Sequence, residues 1–330
     1  MTIGVVGLGY WGPNIVRNLV ALGQRVFVYD RESARVQAVA GRFPVCIPAC
    51  SLEAMLEDPE ISALAIAVPL PSHSELVIRA LRAHKHVFVE KPLCATVEEA
   101  DAIGVHLNGQ VLMVAHITQF SPGVRCLAGS IRQGAIGDVR RLMFARTHLG
   151  PVYPSTDVLT EIAAHDVAIL VSLMNASPAR VRAWGVDRMN RGTPDAAHVV
   201  FDWTTGEVAQ IDVQWSSAVR RREVEIEGTR GTLLLRAQER PEELLLFDQE
   251  EAYDALRKGA QAGEAAKLVR CKTIPVPETE PLRDELAAFL GCVERGESAP
   301  TDYGFSRNVV GLLAAARRSM ISRGETVHIQ

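Results

Sequence analysis

The side chains most able to take part in catalysis lie in two places. One follows a short apolar segment, and the others lie in a segment whose apolar residues recur at helical spacing. Lys91 follows the run at residues 86–89, in the order Glu-Lys-Pro. Glu161 and His165 are four residues apart, a spacing that predicts one helix face for both, with Asp166 directed elsewhere. A lysine, and a histidine beside a carboxylate, suit proton transfer at a hydroxyl group. The alternatives are a surface lysine and a helix histidine that bonds a main-chain carbonyl.

A glycine-rich turn is the second feature that could form part of a functional site. Gly7, Gly9 and Gly12 make the pattern G-x-G-x-x-G between an apolar strand and a helix. Gly7 permits the tight turn, Gly9 lets the backbone approach a pyrophosphate, and Gly12 lets helix and strand pack closely. The helix N-terminus offers N–H groups to phosphate. The pattern predicts a dinucleotide site, and a βα turn that binds nothing is the alternative.

Asp30 closes the second strand and bears on the identity of the dinucleotide. Its carboxylate can accept hydrogen bonds from both hydroxyls of an adenosine ribose. The 2′-phosphate of NADP would bring a second negative charge to the same place, so Asp30 favours NAD over NADP. Arg31 follows directly and could soften this preference by pairing with a phosphate.

Further candidates follow later strands. In a doubly wound sheet, ligands bind at the carboxyl ends of the strands, where the sequence places Pro69, His73 and Glu90. His116 and Gln119 follow the sixth strand and could line the same site. Residues 220–222 are three consecutive arginines that could meet the phosphates of a nucleotide-linked substrate, or form a solvated strand end.

Two patterns of secondary structure position these residues. Up to residue 118, buried strands alternate with helices, and the pairs Ser72–Glu75 and Thr96–Glu99 predict capping boxes. Beyond residue 120, period-two strands dominate. The sequence therefore predicts an α/β protein, with a doubly wound parallel (Rossmann) sheet in a dinucleotide-binding domain at 1–118. A substrate-binding and oligomerisation α+β domain with a large, mostly antiparallel open sheet is predicted at 119–330, with a helix-containing, irregular insertion at 237–272.

Composition narrows the function classes. The chain has 330 residues, a formal net charge of −4 and 48% hydrophobic residues, which predicts two cores and no nucleic-acid surface. No apolar run reaches the ~18 residues that span a bilayer. The first strand starts at the N-terminus, which predicts no signal peptide. The six cysteines are scattered without a C-x-x-C pair, so we expect reduced thiols, a cytoplasmic protein and no metal site.

Four segments together resemble one known family. GLGYWG, VPLPSH, VEKP and EIAAHD are similar to motifs of the Gfo/Idh/MocA oxidoreductases. The resemblance implies an NAD(P)-dependent sugar dehydrogenase or ketoreductase acting on CH–OH, with Lys91 and His165 at the reacting carbon. It places the cofactor contacts on a further set of residues: Gly7, Gly9, Tyr10, Trp11, Gly12, Asp30, Pro69, His73, Glu90 and Lys91. Glu161 stands where the family usually has aspartate.

Within the family, the segments GYWGPN, VAHITQFSPGVR and AAHDVAIL resemble the branch that acts on C3 of nucleotide-linked sugars. A sugar or nucleotide sugar is therefore the implied substrate. A dehydrogenase or reductase of free aminosugars or cyclitols remains an alternative, as does a regulatory protein that binds dinucleotide without turnover. The resemblance also implies a homodimer or homotetramer that assembles through the sheet of the second domain.

Overall fold

The computed structural model describes residues 1–150, 156–174, 176–238 and 241–329. The chain divides into two compact units. The first contains Met1–Phe120 and Glu280–Gly311, and the second contains Ser121–Thr279 and the chain from Leu312 onward.

The first 120 residues alternate strands and helices. The strands are β1 (Thr2–Val6), β2 (Arg25–Tyr29), β3 (Ile47–Pro48), β4 (Ala63–Ile66), β5 (His86–Glu90) and β6 (Leu112–Ala115). The helices are α1 (Gly12–Ala21), α2 (Ser33–Arg42), α3 (Leu52–Glu57), α4 (His73–Arg82) and α5 (Val97–Gly104), with 3-10 turns at Leu70–Ser72 and Ile117–Phe120.

Among the described residues, the first sheet has six strands in the order β3-β2-β1-β4-β5-β6, and all of its pairs are parallel. The central strands are buried on both faces, as parallel strands covered by helices must be. The order reverses between β1 and β4, so the carboxyl ends of these strands flank the crevice in which such sheets bind ligands. The predicted doubly wound sheet is confirmed.

Two local predictions in this unit have different outcomes. Thr96 and Glu99 form the expected capping box at the start of α5. The box predicted for Ser72 and Glu75 is wrong, because Ser72 ends a 3-10 turn with helical backbone angles and makes no side-chain cap there. The third strand is short and consists of Ile47–Pro48.

The residues from 121 to 279 build the second sheet. Its strands in this segment are β7 (Val139–Leu149), β8 (Arg180–Val186), β9 (Ala196–Asp202), β10 (Val208–Gln214), β11 (Ser216–Gly228), β12 (Gly231–Arg236), β13 (Glu243–Asp248) and β14 (Arg270–Ile274). The helices are α6 (Pro122–Arg132), a π-helix at Leu159–Ala163, α7 (Ala164–Leu173), α8 (Glu250–Arg257), α9 (Ala262–Ala265) and a 3-10 turn at Ala266–Leu268.

The chain ends with α10 (Pro281–Arg295), α11 (Tyr303–Ile321) and β15 (Val327–His328). In the described part of the chain, the second sheet has nine strands in the order β14-β13-β12-β11-β7-β10-β9-β8-β15. The β7–β10 pair is parallel and the other pairs are antiparallel. The mostly antiparallel second sheet is therefore also confirmed.

The segment 237–272, expected to be a helix-containing, irregular insertion, does contain α8 and α9, but it also contributes β13 and the start of β14 to the sheet. Its residues 239 and 240 lie outside the described part. In β13, Leu244 and Leu246 are buried while the alternate residues Leu245 and Phe247 are half-buried and also apolar, so the sequence has no clean apolar–polar alternation. Strand β14 is an edge strand whose side chains are mostly exposed. Neither strand carries the period-two pattern by which strands are recognised.

The segment Glu280–Gly311 was assigned to the second domain by sequence, but it belongs to the first compact unit. The apolar face of α10, with Leu282, Leu286 and Phe289, is buried in the core cluster that includes β1 and α1. Thr301 also exchanges hydrogen bonds with Val114 of β6. The division into independently folding domains at residue 118 remains a prediction. None of the described helices combines the length and the apolar character needed to cross a membrane.

Candidate active site

The glycine turn between β1 and α1 has the geometry that close backbone approach requires. Gly7 has φ +92°, and its N–H donates to the Tyr29 carbonyl at 2.9 Å. A Cβ at Gly12 would lie 2.0 Å from the Gly7 carbonyl oxygen, so a side chain there would force the turn open. A Cβ at Gly9 would meet only the Arg35 guanidinium within 4 Å. The turn is therefore a shallow surface at the N-terminus of α1, suited to a phosphate group.

Asp30 is bound to this turn and is buried. One carboxylate oxygen, Oδ2, accepts the Leu8 N–H at 2.7 Å, and Oδ1 accepts the Glu32 N–H at 2.9 Å. Each carboxylate oxygen keeps further acceptor capacity. The turn and the carboxylate at the end of β2 thus fit the pyrophosphate and ribose of a dinucleotide. The carboxylate also holds the backbone of the glycine turn in place.

Arg35 lies beside Asp30 and was not singled out by the sequence analysis. Its guanidinium is 3.6 Å from Asp30 Oδ2 and 2.8 Å from a Glu32 carboxylate oxygen. The residue sits in the first turn of α2, which begins at Ser33, and that position is the signal that could have identified it. Arg31, the cation that sequence reasoning chose, is exposed.

Tyr10 and Trp11 lie at the tip of the glycine turn. Tyr10 is 86% exposed, and its ring stacks on Trp11 at a centroid distance of 6.3 Å and an interplanar angle of 27°. A large aromatic ring this exposed is unusual for packing. Both residues remain candidates for contact with a bound dinucleotide.

The loops after β4 and β5 are joined by His73. Its Nε2 lies 2.9 Å from the Val68 carbonyl oxygen, and its Nδ1 lies 2.9 Å from that of Pro92. Burial lowers the pKa of His73, although the two carbonyl groups oppose that effect. The ring is 1% exposed, so its nitrogens are directed to the protein interior. Pro69 and Glu90 flank the joined loops, at the carboxyl ends of their strands.

Lys91 follows β5 directly, next to the cis Lys91–Pro92 peptide bond. His116, which follows β6, is fully buried and lies within reach of the Lys91 charge. Burial, and then the Lys91 charge, lower the pKa of His116 to about 3. The His116 ring meets Phe305 edge-on at 5.5 Å, and neither ring nitrogen has a hydrogen-bond partner among the described residues. His116 is therefore a neutral imidazole close to a cationic lysine.

In the second unit, Glu161 and His165 do not share one uninterrupted α-helix. Glu161 lies in the π-helix Leu159–Ala163, and His165 lies in the first turn of α7. The expected α-helical spacing of the pair is therefore changed by a turn that contains an additional residue. Both side chains are half-buried.

Asp166 is directed away from this pair, as expected. It is 1% exposed and accepts hydrogen bonds from the Arg146 guanidinium at 3.1 and 2.6 Å. Arg146 lies on β7, so this buried ion pair holds α7 on one face of the second sheet.

A group of basic side chains shares that face. Arg222 of β11 is the register partner of Arg146, and directly opposed residues point to the same side of a sheet. His148 lies two residues beyond Arg146 and so also on that face. Burial lowers the pKa of His148, followed by the charges of Arg146 and Arg220. Several basic side chains are therefore grouped on the face of the sheet that α7 covers, where Asp166 pairs with Arg146.

The structure thus gathers Gly7, Gly12, Asp30 and Lys91 at the carboxyl edge of the first sheet, and places Glu161 and His165 in the second unit. In the described ranges, no group of three or more histidine, cysteine or acidic side chains has a geometry that could hold a metal ion.

Comparison with known proteins matches both units to one family. Residues 1–116 match the model of an oxidoreductase family with an NAD-binding Rossmann fold, and residues 124–234 match the Gfo/Idh/MocA C-terminal domain.

Individual relatives and structures point the same way. The chain is 32% identical over 222 residues to a UDP-N-acetylglucosamine 3-dehydrogenase of Acidithiobacillus ferrooxidans, covering 64% of this chain and 66% of that protein. It is 28% identical over 254 residues to an inositol 2-dehydrogenase of Acidothermus cellulolyticus, covering 72% and 73%. A solved structure of the A. ferrooxidans 3-dehydrogenase superposes with a TM-score of 0.85, at 23% identity and 98% coverage of both chains. Levoglucosan dehydrogenase in complex with NADH gives 0.87, at 19% identity and coverage of 100% and 99%.

Proposed function

Because the chain belongs to the Gfo/Idh/MocA oxidoreductases, which carry an NAD-binding Rossmann domain, we propose that it moves a hydride between a nicotinamide and a sugar carbon. The carbon alternates between a hydroxyl and a ketone, and we propose that it is C3 of a nucleotide-linked aminosugar. The observation that carries the proposal is the placement of two proton-transfer groups, Lys91 at the carboxyl edge of the first sheet and His165 at the start of α7.

The cofactor would be held by residues of the first unit. The glycine turn and the N-terminus of α1 would hold the pyrophosphate, and Asp30 the adenosine ribose. Tyr10, Trp11 and Arg31 would lie beside the adenosine half, and Pro69 and Glu90 beside the nicotinamide half. A carboxylate beside the ribose diol favours NAD over NADP, because the 2′-phosphate of NADP would bring a second negative charge there. When bound, the oxidised nicotinamide accepts the hydride that leaves the sugar carbon.

The protein residues would handle the proton. As the carbon loses its hydride, the hydroxyl oxygen must lose a proton for the carbonyl bond to form. His165, as a neutral imidazole, would accept that proton, and in the reverse direction would return it. Lys91 would hydrogen-bond the same oxygen and stabilise the charge that develops on it. Glu161 would balance the positive charge of this site.

The basic face of the second sheet supports a nucleotide-linked substrate. Burial lowers the pKa of His148, and the charges of Arg146 and Arg220 lower it further. An anion placed there would offset this concentration of positive charge, and a sugar diphosphate is such an anion. The relative that is named a UDP-N-acetylglucosamine 3-dehydrogenase supports the same substrate class. The similarity to an inositol 2-dehydrogenase favours a free cyclitol as the second candidate.

Turnover assays separate these candidates. The protein would be incubated with NAD⁺ and UDP-N-acetylglucosamine, N-acetylglucosamine or myo-inositol, and NADH formation followed by absorbance. We expect turnover with the nucleotide sugar, and an Arg220→Ala variant should raise KM for that substrate alone. Turnover only with inositol would favour the second candidate. Tight NADH binding without turnover, in either direction, would instead indicate a regulatory protein.

Variants of the proton-transfer groups test the assignment of roles. Lys91→Ala and His165→Ala should each retain NADH binding, measured by fluorescence titration, because neither residue belongs to the phosphate turn. Each should lower kcat by about 10²–10⁴-fold, the usual contribution of a general acid or base. A His165→Ala variant with wild-type kcat would remove the histidine from the mechanism.

Assembly and location complete the proposal. The outer face of the second sheet carries Trp184, which is 41% exposed and stacks on His198 at 5.9 Å. His198 in turn contacts Asp212 at 2.6 Å. We propose that this face forms a homodimer or homotetramer interface, and light scattering of a Trp184→Ala variant would test it. The six cysteines are free thiols, which favours a cytoplasmic protein.

A further inference from the structure

The turn that carries Glu161 is unusual. Leu159–Ala163 forms a π-helix, and the Ala164 N–H donates to the Leu159 carbonyl five residues back. Single π turns are rare, and they occur mostly at functional sites. One additional residue rotates the side chains before the turn by roughly 100° relative to an uninterrupted α-helix. The orientation of Glu161 relative to His165 therefore depends on the turn keeping this form.

Asp157 and Thr160 tie down the start of the turn. Asp157 Oδ1 accepts the Thr160 N–H at 2.9 Å, and the Asp157 carbonyl accepts the Glu161 N–H at 3.1 Å. Thr160 is buried, and the Asp157 side chain is 14% exposed. These bonds are partly shielded from water, which strengthens them.

Arg317 of α11 binds both residues at once. Its Nε donates to Asp157 Oδ2 at 3.1 Å and its Nη2 to Asp157 Oδ1 at 3.1 Å. The same Nη2 donates to the Thr160 hydroxyl oxygen. A planar guanidinium offers these donors in a fixed arrangement, so it fixes direction as well as distance. Arg317, Asp157 and Thr160 together form the Arg317 clasp.

We propose that Arg317 is a positioning residue, which through the clasp holds the π turn and so fixes the directions of Glu161 and His165 toward the reacting carbon. This inference rests on the proposed function, in which His165 exchanges the proton of the sugar hydroxyl. Arg317 does not itself touch substrate or cofactor in this scheme. Its removal should therefore affect the rate of the chemical step more than substrate or NADH binding.

The test compares Arg317→Met, which keeps the length of the side chain, with Arg317→Lys and with Arg318→Met. Arg318 is the exposed neighbour on the same helix and serves as the matched control. We expect Arg317→Met to lower kcat by roughly 10²-fold, the usual effect of a small misplacement of catalytic groups. KM and the Kd of NADH should stay close to the wild-type values. Arg317→Lys should recover part of kcat, and Arg318→Met should resemble the wild type.

Hydrogen exchange supplies a readout that does not depend on turnover. Amides of residues 158–165 should exchange faster in Arg317→Met, while those of β9 and β10 should be unchanged. If exchange is faster only together with global unfolding, or if kcat of Arg317→Met equals that of the wild type, the positioning role is refuted. Absence of turnover by the wild type with every sugar refutes the proposed function, and the positioning role with it, whatever the exchange result.

Discussion

Replacing Asp30 with alanine should do more than change the preference between NAD and NADP. The carboxylate has two tasks in the structure. One is the expected contact with an adenosine ribose. The other is visible without any ligand, since Oδ2 accepts the buried Leu8 N–H at 2.7 Å and Oδ1 accepts the Glu32 N–H at 2.9 Å. Asp30→Ala removes both tasks, so the glycine turn itself loses support.

The size of the effect follows from these bonds. A hydrogen bond to a charged group contributes about 1.5–3 kcal/mol, and an unpartnered buried N–H retains its full desolvation cost. Leu8 is 3% exposed, so water cannot readily replace the carboxylate there. The free energy of unfolding should therefore fall by about 1.5–3 kcal/mol. Loss of the ribose contact should also raise the Kd of NADH by a factor of roughly 10–100, if that contact is as strong as another hydrogen bond to a charged group.

The informative measurement is the affinity of Asp30→Ala for NADPH. If Asp30 only repelled the 2′-phosphate, its removal would make NADPH bind better than it binds the wild type. Because the turn is also weakened, we expect the gain to be largely cancelled. Fluorescence titrations with both cofactors, with urea unfolding, would be compared with Arg35→Ala. That control loses the ion pairs of the half-exposed Arg35 side chain with Asp30 and Glu32, each worth about 0–1 kcal/mol. Unchanged stability of Asp30→Ala, with tight NADPH binding, would refute the reasoning.

Three further outcomes are expected. His73→Leu removes the ring between the Val68 and Pro92 carbonyl groups. It should lower kcat more than it lowers the affinity for NADH, and wild-type kinetics would contradict this. Arg146→Met leaves Asp166 buried without its partner and should cost about 3–5 kcal/mol in urea unfolding, with most of the loss recovered by adding Asp166→Leu. His116 has a pKa of about 3 when folded and 6.5 as its ordinary value. Protons therefore favour the unfolded chain, and stability should fall as the pH drops from 6.5 toward 3. His116→Gln should reduce that slope by at most ~1.4 kcal/mol per pH unit, and an unchanged slope would show that His116 is not its source.

Much of the first unit could be predicted from sequence because its signals are local. A buried apolar strand, a glycine turn and a carboxylate after the next strand all lie within 30 residues, and each has one structural reason. The same applies to the Thr96–Glu99 capping box. One prediction was wrong because the same sequence spacing is compatible with two local structures. Ser72 and Glu75 have the spacing of a capping box, but the preceding proline-rich segment forms a 3-10 turn that gives Ser72 a helical backbone.

The second unit was less predictable because its edges are set by tertiary pairing. Strand β14 has an almost entirely exposed, polar sequence, and it is a strand because β13 offers it an edge. Helix α10 presents the opposite case. Its sequence has the pattern of an ordinary amphipathic helix, but it does not show against which unit the helix packs. Its burial beside β1 and α1 depends on complementary shape and on the return of the chain to the first unit after residues 121–279. No local sequence pattern records that return.

The candidate site shows the same limit at the level of single residues. Local sequence supplied the types, Lys91, Glu161 and His165, but not the register between the last two. Asp157 accepts the Thr160 N–H as a helix N-cap would, so the sequence favours an ordinary α-helix from there to His165. The π turn persists against that preference because Arg317, 160 residues along the chain from Asp157, binds Asp157 and Thr160 together. In our proposal the directions of Glu161 and His165 thus depend on a residue that shares no motif with them, and a search for motifs alone would have treated Arg317 as one more surface arginine.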